Sequence, residues 1–279
     1  MIDQATELRK LVLRSMRERA AAAGPPPRLL IMAGGREGVG VSSLSVNLAI
    51  GLAEQGLRVV IVDADTRHND VARLCGVAER ERARDILIAR RDIHEVLQLG
   101  PGGIQVVPRL WAPCEKIDCN HAIVARLLRQ FHNLGPHADV ILLDVGCGTG
   151  DFLGRLATVA SDIVWVTTPD AAALTDTQGH WKAAVRALEK TTPGLVVNFC
   201  DDGALATRIH QRLEDAHQKA GGSRVRLLGH VPPDEEFPRA AAISSPLLLA
   251  APASPAGRAL QKLATALIAD WPDTSRHVA

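Results

Sequence analysis

Between Leu29 and Leu48 the chain reads LLIMAGGREGVGVSSLSVNL, and the residue types in that stretch suit the holding of phosphate. An apolar run, Leu29 to Met32, ends in Gly34 and Gly35, passes Gly38 and Gly40, and meets Ser42 and Ser43. Leu44, Val46, Leu48 and Ala49 then begin a helical pattern. Glycines let main-chain N–H groups turn toward an anion, and a helix N-terminus adds unpaired donors and its positive dipole end. A serine at this point can offer its hydroxyl to Mg²⁺. The Gly-Lys-Ser/Thr ending of such a loop is replaced by Gly40-Val41-Ser42, so the lysine is missing. A glycine-rich turn that merely joins strand to helix has the same local composition. Two further segments argue against that plainer reading. Arg58–Asp65 (RVVIVDAD) is a buried strand ending in two carboxylates, and Val140–Asp144 (VILLD) is another, followed by Gly146 and Gly148. Acidic groups at strand C-termini beside a phosphate loop stand where a metal–triphosphate needs them.

The elements that must position these residues follow from periodicity. Strands are expected at Leu29–Met32, Arg58–Val62, Ile104–Val107, Val140–Leu143, Ile163–Thr167, Leu195–Phe199 and Arg226–Val231. Helical patterns cover Ser43–Gln55, Val71–Cys75, Ala83–Ala89, Asp92–Leu97, His121–Leu134, Phe152–Ala160, Asp176–Lys190, Ala204–Lys219 and Ser254–Trp271. Near-continuous apolar strands alternating with helices predict an α/β fold of three layers, a mostly parallel sheet flanked by helices. Ahead of it, Asp3–Ala22 reads as a helix with an apolar face of Leu8, Leu11, Val12 and Met16, and Gly24-Pro25-Pro26-Pro27 breaks it as a stiff spacer. The expected organisation is therefore a helix over 1–23, either docked back onto the body or presented to a partner, a linker over 24–27 and one domain over 28–279.

Composition excludes several functions. A chain of 279 residues with 47% hydrophobic content fits one large α/β domain or two small ones with a sizeable core. A net charge of +1 gives the whole protein no polyanion-binding character, leaving only a local basic face for that role. Aromatic content of 3% without tyrosine is poor material for stacking nucleic acid. Five irregularly spaced cysteines predict a reducing, cytoplasmic compartment, and the Arg-rich N-terminus reads as no signal peptide. The last helix carries Leu260, Leu263, Leu267, Ile268 and Trp271 at helical spacing, with Arg258 and Lys262 on its polar side. Packing onto the sheet is expected of it rather than membrane attachment. No zinc spacing and no G-x-S-x-G elbow occur.

Together the motifs resemble the MinD/ParA class of deviant Walker-A P-loop ATPases, and within it the FlhG (YlxH, FleN) flagellar-number regulators. The family loop K-G-G-x-G-K-[ST] falls on Arg36-Glu37-Gly38-Val39-Gly40-Val41-Ser42. Switch I, V-D-A-D, falls on Val62–Asp65, and switch II on Asp144–Asp151 (DVGCGTGD). Val166–Asp176 (VTTPDAAALTD), Leu195–Asn198 (LVVN) and Gly229–Asp234 (GHVPPD) are similar to further FlhG segments. Asp3-Gln4-Ala5-Thr6-Glu7-Leu8-Arg9 fits the D-Q-A-x-x-L-R motif by which that family activates its partner, the signal-recognition-particle-type GTPase FlhF.

The resemblance implies ATP or ADP with Mg²⁺. It assigns Gly35, Arg36, Gly38, Val39, Gly40, Val41, Ser42 and Ser43 to the phosphates, and Asn198, Pro232, Pro233 and Asp234 to the base. Ser42, Asp63 and Asp144 would serve the metal, and Asp65 would orient the hydrolytic water. Asp3, Gln4, Ala5, Leu8 and Arg9 would meet FlhF, with Gln4 holding the water on the partner's GTP. An ATP-dependent homodimer is implied as well, with Arg36 reaching across it. Each Asp could instead cap a helix or turn, Asn198 could be a strand-end turn residue, and Asp3 and Gln4 an ordinary helix start.

Where the pattern breaks, the physics predicts weaker binding. One cation about 4 Å from a phosphate is worth on the order of 4 kcal/mol at an effective dielectric of ~20. Val41 lacks that charge, and Glu37 stands where the family has glycine. Weakened ATP affinity and impaired hydrolysis are the expectation, with a pseudo-ATPase scaffold of the same fold as the alternative. Absence of tyrosine excludes kinase relatives that phosphorylate their own tyrosine cluster.

Overall fold

The computed structural model describes residues 26–78, 92–110, 121–135, 137–147, 151–184, 192–269 and 271, without the side chains of 121, 151, 152 and 183. The helix expected at Asp3–Ala22 with its five partner-binding residues, the helix at Ala83–Ala89, and Cys114 and Cys119 lie outside the described residues.

Eight strands form one sheet: β1 (Arg28–Gly34), β2 (Val59–Asp63), β3 (Gln98–Leu99), β4 (Gln105–Val107), β5 (Val140–Asp144), β6 (Asp162–Thr167), β7 (Gly194–Asn198) and β8 (Arg226–Val231). Their order is β3-β4-β2-β5-β1-β6-β7-β8, and every pairing is parallel except β3 with β4. The helices are α1 (Val41–Glu54), α2 (Asp70–Cys75), α3 (His121–Asn133), α4 (Asp151–Ala157), α5 (Ala171–Ala184), α6 (Gly203–Lys219), α7 (Glu236–Ala242), α8 (Leu247–Ala250) and α9 (Pro255–Ile268).

Alternation along the strands divides the interior into two layers. Leu29, Ile31 and Ala33 belong to one apolar cluster and Leu30 and Met32 to the other, as the two-residue period of a strand requires. The first cluster packs under α3, α4, α5 and α6, through Leu127, Leu156, Trp181 and Leu213. The second packs under α1, α2, α8 and α9, through Leu48, Leu74, Leu248 and Leu263. Because both faces are covered, β1, β2, β5 and β7 bury almost every side chain, and their apolar runs are continuous. Among the described residues, no helix is long and apolar enough to cross a membrane. Leu260, Leu263 and Leu267 of α9 are all buried.

Several elements differ from the periodicity reading. The helix expected at Asp92–Leu97 is a single 3₁₀ turn, Ile93–Glu95, closed by a reciprocal cap between Asp92 and Glu95. The chain then enters β3, which pairs antiparallel on the sheet edge. Helix α5 starts at Ala171 rather than Asp176, because Asp170 Oδ1 accepts the Ala172 N–H at 2.6 Å and caps it. Neither α7 nor α8 was expected. Pro238 and Pro246 punctuate that segment as a loop would be punctuated, yet Asp234 accepts the Glu236 N–H at 3.0 Å and starts a helix there.

Sheet order sets β1 beside β5, and the chain leaves β1 toward β2 but leaves β5 toward β6, so the connections from these two neighbouring strands run in opposite directions. A crevice outside the strand C-termini results, the usual place for a ligand in an open parallel sheet. Register sharpens this: Asp63 on β2 pairs with Asp144 on β5, and Met32 on β1 pairs with Asp144.

Candidate functional site

At the end of β1 the chain turns through Gly35–Gly40 and enters α1. Gly38 (φ 80°) and Gly40 (φ 90°) hold left-handed backbone that side-chain-bearing residues rarely adopt. Gly35 is small because α5 is close: a Cβ there would stand 2.6 Å from the Thr177 Cα. The first turn of α1 carries no acidic residue, so its amides, which have no intrahelical partner, keep their full pull on an anion. Over this turn lies a cleft of about 360 Å³. Arg36, Glu37, Gly38, Val39, Gly40, Val41, Ser42 and Ser43 line it from the loop, Asp65, His68 and Asp70 from beyond β2, Gly146 and Cys147 from beyond β5, and Phe199 from beyond β7.

Asp63 and Asp144 are the buried carboxylates beneath that cleft. The oxygens of Asp63 accept the Asp65 N–H at 3.1 Å and the Val71 N–H at 3.4 Å, tying down the turn after β2. Asp144 Oδ1 accepts the Gly146 N–H at 3.0 Å, while its Oδ2 is buried without a well-aligned hydrogen bond among the described residues, the Ser42 hydroxyl being the nearby donor to this carboxylate. Burial raises the pKa of Asp63 well above the carboxylate range, and the neighbouring Asp144 charge raises it further. Burial likewise pushes Asp144 up to about 7, against the pull of the Ser42 hydroxyl and the Gly146 amide. Two carboxylates side by side in an apolar setting cannot both ionise cheaply, which suits them to an incoming divalent cation.

Asp65 sits at the rim and is nearly buried. Its Oδ1 accepts the Arg67 N–H at 2.8 Å, and Oδ2 lies 3.5 Å from His68 Nδ1. Gly146 presses on the same carboxylate so closely that a Cβ there would collide with it.

The charges around the loop are paired. Arg36 meets Asp176 of α5 at 3.3 Å, and Glu37 is bonded to Arg67. That bond holds the Glu37 carboxyl below its usual range, so the negative charge the loop carries in place of a glycine is countered on the spot. Val41, where the lysine would be, turns its side chain into the core and is 6% exposed.

Asn198 ends β7 and reaches the loop: its Nδ2 donates to the Val39 carbonyl at 2.8 Å, and its Oδ1 is buried without a donor among the described residues. Phe199 follows in left-handed backbone (φ 53°); it lines the cleft and is 46% exposed. Pro232, Pro233 and Asp234 follow β8 and do not line the cleft. Burial pushes the Asp234 carboxyl up, but the amides of Ala256 and Glu236 that it accepts at 3.0 Å, with the Ser254 hydroxyl, bring its pKa below the ordinary value and join the starts of α7 and α9. Sequence reasoning missed Arg67, His68, Asp176 and Phe199. The acidic Glu37 with the basic Arg67-His68 two residues beyond Asp65 was the available signal for the first two.

These residues fit a magnesium–nucleotide. The loop amides and the α1 start would hold phosphates, Ser42 with the buried Asp144 Oδ2 would serve Mg²⁺ through its shell, and Asn198 Oδ1 could accept an adenine amine. Bound Mg²⁺ would neutralise phosphate charge and the Asp63–Asp144 pair together.

Comparison with known proteins agrees with this geometry. The ParA family model, described as the NUBPL iron-transfer P-loop NTPase, matches residues 27–268. The chain is 26% identical over 247 residues to the antiactivator FleN of Pseudomonas aeruginosa, covering 88% of each chain. It is 29% identical over 282 residues to an iron-sulfur cluster carrier protein of Mycobacterium leprae, covering 95% of this chain and 71% of that one. The crystal structure of the cell division ATPase MinD of Pyrococcus furiosus matches with a TM-score of 0.69 at 20% identity, over 86% of this chain and 98% of that one. The chain belongs to the ParA/MinD superfamily of P-loop NTPases.

Proposed function

We propose that this protein is a nucleotide-binding regulator of the FlhG type, which binds ATP and Mg²⁺ weakly, hydrolyses ATP slowly or not at all, and acts through an FlhF-like GTPase. The observation that carries the nucleotide part is the cleft itself, lined by a glycine loop and a helix start and lying over two register-paired buried carboxylates. In this reading Asp65 orients the attacking water, Ser42, Asp63 and Asp144 serve the metal, and Gly35, Gly38 and Gly40 let the backbone approach the phosphates. Arg36 would exchange Asp176 for the phosphates of a second copy in an ATP-dependent homodimer.

The flagellar part is supported by the similarity to an antiactivator FleN along most of both chains and by Asp3, Gln4, Ala5, Leu8 and Arg9 in the D-Q-A-x-x-L-R pattern. Calorimetry with ATP·Mg²⁺ tests the first part; no heat at millimolar nucleotide would leave a protein-binding scaffold. Stimulation of FlhF GTPase activity, lost in Gln4→Ala, tests the second. Cluster carriage, the activity named for the mycobacterial relative, is a weaker reading because no two of the five cysteines are separated by only two residues.

A further inference from the structure

We infer that Arg67 is the phosphate-facing cation of this loop in place of the missing lysine, and that Glu37 holds it at rest until polyphosphate displaces the carboxylate. The inference rests on the nucleotide-binding reading above. Position 41 supplies no charge and points into the core. Among the described residues lining the cleft, Arg36 and His68 are the basic ones, and Arg36 is tied to Asp176 on α5.

Arg67 does not itself line the cleft, but it is bonded to Asp65 and Glu37, which do. Its backbone N–H is fixed by Asp65 Oδ1, and its guanidinium reaches across to Glu37 on the loop. Its positive charge is also felt by Cys147, on the third side of the opening. Arg67 thus ties the turn after β2 to the phosphate loop.

Its partner is replaceable. Both side chains of the pair are about half exposed, at 55% and 50%, so the pair is screened by water and weakly held. A guanidinium fork matches two phosphate oxygens as well as it matches a carboxylate, and a triphosphate carries more charge. Glu37 can swing away into solvent, since half of its side chain is already exposed. In the resting protein the Glu37 carboxylate therefore stands in for a phosphate.

Titrating ATPγS·Mg²⁺ and tripolyphosphate·Mg²⁺ into the full-length protein and its variants tests this exchange. Arg67→Ala should weaken both ligands about tenfold or more, the loss expected for a hydrogen bond to a charged group. Arg67→Lys should recover part of the loss, and Glu37→Gln should tighten binding by freeing the arginine. The Glu37→Gln, Arg67→Ala double variant should bind no better than Arg67→Ala alone. Melting temperatures of these surface variants should stay within a few degrees of the parent. Binding by Arg67→Ala equal to that of the parent would overturn the role of Arg67 and leave the nucleotide reading standing. Failure of both parent and Glu37→Gln to bind either ligand would remove the nucleotide reading, and this inference with it.

Discussion

The Asn198 amide donates to the Val39 carbonyl at 2.8 Å, so the side chain offered for base recognition also staples the phosphate loop to the end of β7. Gly40 passes so close that a Cβ there would strike the same amide nitrogen, which explains why the loop needs glycine at that point as well as for its φ. Asn198→Ala leaves the Val39 carbonyl unpaired and should cost about 1–3 kcal/mol, read as a lower melting temperature. Nucleotide selectivity separates the two roles. If Oδ1 accepts from adenine, Asn198→Ala loses the preference for ATP over GTP, whereas Asn198→Asp keeps the acceptor and loses only stability. Equal weakening of ATP and GTP would show a staple and nothing more.

Val41 packs beneath the loop. A Cβ added at Gly34 would lie 2.6 Å from Val41 Cγ2, so the valine methyl already fills that space. Val41→Lys removes a buried isopropyl group worth about 1.5–3 kcal/mol and introduces the family's cation. The free variant should melt below the parent, and ATP·Mg²⁺ should raise its melting temperature more than it raises the parent's. Val41→Ala supplies the control, with the same loss of stability and no gain in affinity. Differential scanning fluorimetry with and without ligand reads both. An equal ligand-induced shift in all three proteins would mean that position 41 does not face phosphate.

The paired carboxylates make stability fall with rising pH. For Asp144, raised to about 7 in the folded protein, and for Asp63, raised by the same burial, the folded state holds protons that the unfolded state has released. Their contribution is full below the unfolded value of 3.8 and is lost as pH rises to about 7. Metal-free protein should therefore unfold more readily at pH 8 than at pH 6. Asp144→Asn, which cannot ionise, should be more stable than the parent at pH 8 and should flatten the profile, while abolishing any stabilisation by Mg²⁺ and nucleotide. Denaturant melts at the two pH values measure this. A variant less stable than the parent at pH 8 would contradict it.

Much of this arrangement could be read along the chain, and the part that could not has physical reasons. The central strands are buried on both faces, so their apolar runs stand out without any pattern to decode. The loop announces itself because Gly38 and Gly40 are needed for left-handed backbone. That Asp63 and Asp144 share a register was beyond reach, since it depends on β5 inserting between β2 and β1. The Glu37–Arg67 and Arg36–Asp176 pairs join residues far apart in sequence, and no periodicity marks a contact of that kind. Short α7 and α8 were hidden by their prolines, and the early start of α5 by Pro169, because a carboxylate cap can override a breaker one residue before it.

Acid should destabilise the opposite layer of the molecule through His217. That side chain is buried in α6 with both ring nitrogens lacking a partner among the described residues, edge-on to Trp181 at 5.2 Å between ring centroids. Trp181 packs in turn against Trp165, and Gly222 closes on the imidazole so tightly that a Cβ there would overlap it. Burial lowers the His217 pKa, partly offset by the Glu214 charge. The unfolded state then binds the proton more readily, so stability is full above the unfolded value of 6.5 and is lost as pH falls through the depressed folded value. This runs against the carboxylate effect, and a variant is needed to isolate it. His217→Phe keeps an aromatic ring in the Trp181 contact and removes the titration. Its melting temperature should exceed the parent's at pH 5 by more than it does at pH 8. The carboxylates are unchanged between the two proteins, so that difference belongs to the histidine, and an equal offset at both pH values would show that the imidazole finds room to carry its proton.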